Sequence, residues 1–342
     1  MMRLAILVGL MALAPLALAA PSPASGKPAA AAPATDCPDC PVLALVPPGT
    51  FRMGTEPDAA ELDPATGESP PVTITIEKPF YIGAHEITVG EFRRFVEETG
   101  YDPPLGCRVW SGGQWVMDRQ RSWRDPGFAQ PPADDDPVVC VDWEDARAYA
   151  AWLSAKSGLH YRLPSEAEWE YVARGGTPFP RYWSADDSDE QSAVSLACDN
   201  ANVYDASAVD RFHFPWPNAN CSDGVAGVAP VGRYKPNAFG AYDVIGNVRE
   251  WQQDCYTASY QGRPTDGRAW TWQGGCGLKV IRGGSWASRP RDARAAARDF
   301  AAPTLRQSDL GFRVARDYDA AAVGQASAQP DAAPGAVAPA KQ

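Results

Sequence analysis

Histidine is scarce in this sequence: His85, His160 and His213 are the only three, and they are widely separated. A histidine-built metal centre needs ligands at short helical or loop spacing, which this set does not offer. Basic charge is also short, with 31 Lys and Arg against 42 Asp and Glu and a formal net charge of −11. Neutralising phosphates requires a basic surface, so the balance argues against nucleic acid as a partner. Long apolar runs are missing. The one candidate, Leu4 to Leu18, is interrupted by Pro15 and is shorter than the roughly 18 residues a membrane span needs. No cysteine follows that run closely, which removes lipid attachment there, and neither an internal repeat nor a second C-x-x-C occurs.

What is present points to export. Met1, Met2 and Arg3, the apolar run and the small-residue pattern Ala17-Leu18-Ala19 read as a cleaved secretory signal over residues 1–19. The expected location is therefore the periplasm or the exterior, with no membrane span. Residues 20–36 are almost entirely Ala, Pro, Ser and Gly, and residues 319–342 repeat that composition. Neither stretch carries enough apolar surface to offset the entropy of ordering, so both are expected to be disordered, with one domain over 37–318. Twelve Trp and twelve Tyr give that domain ample material for a core.

Eight cysteines in an exported chain suggest a disulfide framework without an obligatory free thiol. Roughly a hundred connectivities are open. Nearest-neighbour pairing, each bridge closing a local irregular segment, is the working expectation. Cys37-Pro38-Asp39-Cys40 has the spacing of a redox pair or half a zinc site, yet it lacks a strand-to-helix context and a second pair. It reads as a structural clip.

Along the chain, Val42 to Met53 predicts a strand, a Pro-Pro-Gly turn and a second strand, and Val72 to Ile76 predicts another. A first helix is expected from Thr88, where Thr88 and Glu91 form a capping box, Phe92, Phe95 and Val96 share a face, and Gly100 is the stop. A second runs from about Asp142 to Ser157, with Ala146, Tyr149, Ala150 and Leu153 on one side and Gly158 as the stop. A third begins at the Ser165/Glu168 box and ends at Gly175. Beyond it no long periodic segment appears, which implies long loops that need cross-links or bound ions.

Four segments then stand out: Pro48-Gly49-Thr50-Phe51-Arg52-Met53-Gly54; Tyr161-Arg162-Leu163-Pro164-Ser165-Glu166-Ala167-Glu168-Trp169-Glu170; Gly246-Asn247-Val248-Arg249-Glu250-Trp251; and Arg282-Gly283-Gly284-Ser285-Trp286, with Gly311-Phe312-Arg313 behind it. In this order and spacing they resemble the sulfatase-modifying-factor, or formylglycine-generating enzyme, family. The resemblance implies an α+β fold related to C-type lectin domains, with little regular secondary structure and loops linked by disulfides. Family members that make formylglycine carry two copper-binding cysteines after the Gly-Gly-Ser segment. The matching positions here hold Ser288 and Ala293. Neither is a thiolate, and thiolates are what select copper(I), so neither copper nor formylglycine generation is expected. The iron-using branch of the family, with its histidine-rich extra domain, has no counterpart here.

The resemblance also implies calcium. Similar proteins hold one ion at positions matching Asn202, Val203, Asp223 and Val225, and a second at positions matching Asp243, Gly246, Val248 and Glu250. Oxygen donors from irregular backbone suit that cation. The bland alternative makes Asp223 and Asp243 turn residues and Glu250 an ion-pair partner. A cluster of Arg282, Arg289, Arg291, Arg294 and Arg298 could form an anion-binding wall, but the interleaved Asp292, Asp299 and Asp309 favour internal pairing.

Two classes of function remain. One is a calcium-stabilised, non-oxidising accessory or binding domain whose groove takes a peptide, protein or small molecule. The other is an enzyme with different chemistry in the same groove, such as siderophore chromophore maturation in the periplasm, with Ser285, Trp286, Ser288 and Arg289 lining it. An accessory role to a periplasmic respiratory enzyme is a third possibility. Fold alone does not choose among them.

Overall fold

A computed structural model describes residues 33–59, 62, 64–184 and 194–319. The expected signal segment, most of the linker and the tail beyond residue 319 lie outside the described residues. Residues 33–36 of the expected linker are among those described. Ala34 pairs through both backbone groups with Leu43, and Asp36 forms an ion pair with the buried Arg316.

Three helices follow their caps. Helix α1 (Val89–Thr99) has Thr88 as N-cap with the reciprocal Glu91 bond, and Gly100 at its end adopts φ 70°. Helix α2 (Trp143–Ser157) is capped by Asp142 and Asp145 and closed by Gly158, and α3 (Glu166–Arg174) is capped by Ser165 and Glu168 and closed by Gly175. Each box satisfies orphan N–H groups at a helix start, and each glycine supplies the left-handed exit. The faces of α1 and α2 meet in one aromatic core, where Phe92, Phe95, Tyr149 and Phe312 pack edge to face. Helix α3 is buried along its whole length, so its Glu166, Glu170 and Arg174 must find partners inside the protein.

Two four-stranded sheets frame the molecule. In the first, β1 (Leu43–Val46), β4 (Phe80–Gly83), β12 (Ala315–Asp317) and β7 (Tyr161–Arg162) lie in that spatial order, all antiparallel. In the second the order is β10 (Arg298–Ala301), β9 (Lys279–Arg282), β8 (Arg249–Cys255) and β11 (Leu310–Gly311). The predicted strands flanking the Pro-Pro-Gly turn do not pair with each other. Strand β1 joins the first sheet, while β2 (Gly49–Met53) pairs with β3 (Val72–Ile76). A further hairpin consists of β5 (Cys107–Ser111) and β6 (Gln114–Asp118). Between α3 and β8 lie two short helices, α4 (Ala197–Asn200) and α5 (Ala206–Phe212).

Disulfides Cys37–Cys40, Cys107–Cys140, Cys198–Cys221 and Cys255–Cys276 account for every cysteine. The pairing is nearest-neighbour, and each bridge closes a stretch that no long helix or sheet holds.

Candidate ligand groove

The register of the second sheet brings the motif segments together. Glu250 stands opposite Arg282 across β8 and β9, and Gly311 pairs with Glu250 across β8 and β11. The buried ions between them are matched. Arg282 reaches Glu170 and Glu166 on α3, while Arg313 and the Trp169 indole N–H share the Glu250 carboxylate. Gly54 N–H donates to Glu170 Oε1 at 2.8 Å, and Arg174 donates to the Gly54 carbonyl at 2.9 Å. All the segments that carry the family resemblance therefore meet in one buried network. The buried charges among them hold the scaffold.

Beyond β9 the chain turns through Gly283 and Gly284, with φ of 104° and 69°. A Cβ at Gly284 would stand 3.2 Å from the Cα of Ala293, so only glycine lets this turn lie against that residue. Ser285 N–H donates to Ser288 Oγ at 3.0 Å and Ser288 N–H returns a bond to the Ser285 carbonyl at 2.9 Å. This closed turn sets Ser288 and Arg289 in the wall of a groove of about 990 Å³. Hairpin residues Arg108, Trp115 and Met117, together with Trp216 and Phe300, also line it.

The four groove candidates divide. Ser288 and Arg289 line the cavity, whereas Ser285 and Trp286 are buried beneath it at 0% and 1% exposure. Ser285 is too closely enclosed by its own turn, and Trp286 is drawn into an aromatic cluster with Phe212, Phe214 and Phe128. Ala293, at the second copper-cysteine position, is buried under Gly284 and its carbonyl accepts from Arg181 at 3.0 Å. No cysteine, histidine, lysine or glutamate lines the groove among the described residues.

Its carboxylates are engaged. Asp309 accepts four hydrogen bonds, two from Arg249 and one each from Ser285 Oγ and Gln307. Asp299 pairs with Arg249, and Asp292 with Arg289 and Arg291. Burial alone would lower the pKa of Arg249, but Asp309 and Asp299 outweigh it and hold it above the ordinary arginine value. The arginine cluster is thus internally paired, as its interleaved acids suggest, though largely with other partners. Arg294 reaches Glu68, and Arg298 reaches Glu166.

At the first position expected for calcium, Val203 is buried and Val225 is half-buried, and the Asp223 carboxylate accepts from Val225 N–H and the Tyr234 hydroxyl. Asn202 Oδ1 is buried without a donor. At the second, Gly246 and Val248 belong to the buried turn before β8, and Asp243 Oδ1 is again buried without a donor. Glu250 is occupied by Arg313 and Trp169, which is the ion-pair role. The sequence pattern gave no sign of Glu86, whose Oε2 is also unpartnered. Burial, then the Asp243 charge, pushes the Glu86 pKa well above the usual carboxylate range. Burial likewise raises Asp243 to about 6. No group of three or more His, Cys, Asp or Glu among the described residues has metal-holding geometry.

The fold is a mixed α/β one with short strands, few helices and four bridges, and the sheet network is built on the family's motif positions. The chain belongs to the family of sulfatase-modifying factor enzyme 1-like domains, whose sequence profile matches residues 29–318. It is similar to the formylglycine-generating enzyme of Streptomyces coelicolor, at 32% identity over 89% of this chain and 98% of that one. It is also similar to the inactive C-alpha-formylglycine-generating enzyme 2 of Bos taurus, at 30% identity over 80% of this chain and 87% of the other. Among solved structures, PvdO from Pseudomonas aeruginosa superimposes with a TM-score of 0.69 at 36% identity, covering 84% of this chain and 98% of that one.

Proposed function

We propose that this protein is a non-oxidising member of its family, an exported domain that binds a ligand in the groove beside Ser288 and Arg289. The observation that carries the reading is the site's composition. Ser288 and Ala293 stand where two thiolates are needed, Ala293 is buried, and every cysteine is committed to a disulfide elsewhere. A hydroxyl and a methyl are poor donors for a soft d¹⁰ ion. The likeness to the inactive Bos taurus relative supports the same direction. Four disulfides support an oxidising compartment, which agrees with the signal-like N-terminus.

Calcium belongs to this proposal as a structural ion. Asn202 Oδ1, at the first expected position, and Asp243 Oδ1, at the second, are buried oxygens without donors, and a hard cation at each position would satisfy them. Glu86 Oε2 is a third such oxygen and belongs with Asp243, whose charge it feels. Glu250 contributes only if Arg313 releases it.

A second reading, an enzyme with different chemistry in the same groove such as siderophore chromophore maturation, is favoured by the likeness to PvdO. Against it stands the lining, in which each carboxylate is already held by arginine, so that Ser288 has no evident base. The test of the main reading is direct. Incubated with copper, reductant and oxygen, the purified protein is expected to leave a Cys-x-Pro-x-Arg peptide unchanged by mass spectrometry and to bind no copper(I) tightly. Formylglycine in that peptide would overturn it.

A further inference from the structure

Six arginines line the groove, and five of them are spoken for. Arg249 pairs with Asp299 and Asp309, Arg289 with Asp292, Arg282 with Glu170, Arg294 with Glu68 and Arg298 with Glu166. Arg108 has no ion pair among the described residues. Its side chain makes one long donation, to the Trp115 carbonyl at 3.4 Å. Its backbone, by contrast, is pinned: the N–H donates to the Arg306 carbonyl at 2.8 Å, the carbonyl accepts from Ser308 at 2.9 Å, and the preceding Cys107 is bridged to Cys140. Arg108 is a half-buried residue on a fixed base, with most of its five guanidinium donors uncommitted.

Around it stands an aromatic surface that is equally well held. Trp216 donates its indole N–H to the Ala287 carbonyl at 3.0 Å and stacks on Phe214 with ring centroids 4.7 Å apart. Trp110 lies edge-on to both Trp115 and Trp216 at 5.6 Å, fixing their relation. Anchored indoles that still line a cavity offer flat apolar faces without a large entropic cost.

We infer that the groove takes a small aromatic carboxylate, its ring against Trp115 and Trp216 and its carboxylate on the Arg108 guanidinium. This deepens the binding reading above and rests on it. A cationic ligand finds no free carboxylate, since Asp292, Asp299 and Asp309 are all paired. A neutral ligand that covered Arg108 would remove its water without replacing the lost hydrogen bonds. A planar carboxylate matches the guanidinium fork with two parallel bonds, and about 990 Å³ lies at the upper end of small-molecule sites. Every other charge in the wall is neutralised in place, so one unpaired guanidinium selects the sign of the ligand even in a protein of net charge −11.

Calorimetric titration of the full folded protein with naphthalene-2-carboxylate, 2-naphthamide and 2-naphthylmethylammonium tests it. The carboxylate is expected to bind about tenfold more tightly than the amide, and the ammonium ion more weakly than either. Arg108→Gln should erase the advantage of the carboxylate while leaving the amide unchanged, and Arg108→Lys should keep part of it. Trp216→Ala should weaken carboxylate and amide together. An unchanged near-ultraviolet spectrum for Arg108→Gln establishes that the groove is intact in that variant. Equal binding of amide and carboxylate, or a carboxylate advantage that survives Arg108→Gln, overturns the assignment of Arg108 and leaves the groove a binding site. Absence of binding by all three probes at millimolar concentration overturns the ligand class altogether, whereas formylglycine production would sink the parent reading whatever these probes do.

Discussion

Glu166 shows how far a single side chain can matter here. Its carboxylate is buried among Arg263, Arg282 and Arg298. Burial by itself would raise its pKa, but the three guanidinium charges outweigh that and bring it down to about 2. The folded value lies below the ordinary 4.5, so the carboxylate stabilises the fold fully above that pH. Its contribution, about 3 kcal/mol, is lost as pH falls from about 4.5 to about 2. Glu166→Gln should cost about 3–5 kcal/mol in denaturant unfolding and flatten the acid limb of the stability profile. The exposed pair Glu144 and Arg147 is the contrast, with side chains 53% and 61% accessible. Glu144→Gln should shift stability by no more than about 0.5 kcal/mol. A Glu166→Gln protein as stable as the parent at pH 7 would show that the network is dispensable.

Among elements, the glycines at chain reversals divide by surroundings. Gly100 closes α1 at φ 70°, and nothing lies within 4 Å of the point where an alanine β-carbon would stand, so Gly100→Ala should cost only the left-handed strain, about 1 kcal/mol. Gly284→Ala adds a clash with Ala293 to the same strain and should cost at least about 1 kcal/mol more. Equal losses for the two would mean that the turn after β9 is not packed as described. The β5–β6 hairpin depends on its bridge. Cys107 and Cys140 are 33 residues apart, and removing the bridge by a double Ala substitution should lower stability by about 3–4 kcal/mol. Unfolding midpoints measure each of these. The helices are legible in the sequence because capping boxes and terminal glycines are local. The split of β1 and β2 into different sheets is not, because both flank one turn and their partners lie far along the chain.

For the whole molecule, the question is what holds the long loops between α3 and β9. Disulfides tie two of them, and on the calcium proposal above a cation at the donor-less buried oxygens of Asn202, Asp243 and Glu86 would help tie the rest. Excess chelator is expected to lower the melting temperature by several degrees, since an ion bound only by the folded state stabilises it by mass action. Asp243→Asn should reduce that sensitivity. A melting curve indifferent to chelator, in protein shown by elemental analysis to be free of metal, would remove calcium from the account.

Sequence alone determined the three capped helices, the family and the missing copper ligands, since each is written in residue identity at short spacing. It also suggested the local disulfide pairing, because close cysteines bridge easily. What only the tertiary structure decided is which motif residues face the groove. Ser285 and Trp286 turn inward while Ser288 and Arg289 line the cavity, a difference set by packing against Asp309 and Phe212 and invisible in the spacing. The same holds for Arg108, Trp115 and Trp216, which come from a hairpin and a loop remote in sequence and carry no local signal. Partners of the buried arginines were equally hidden: spacing makes nearby aspartates the natural choice, but glutamates on a helix more than a hundred residues away lie closer in space. Charge pairing in a core follows distance in the fold, and only the folded chain specifies it.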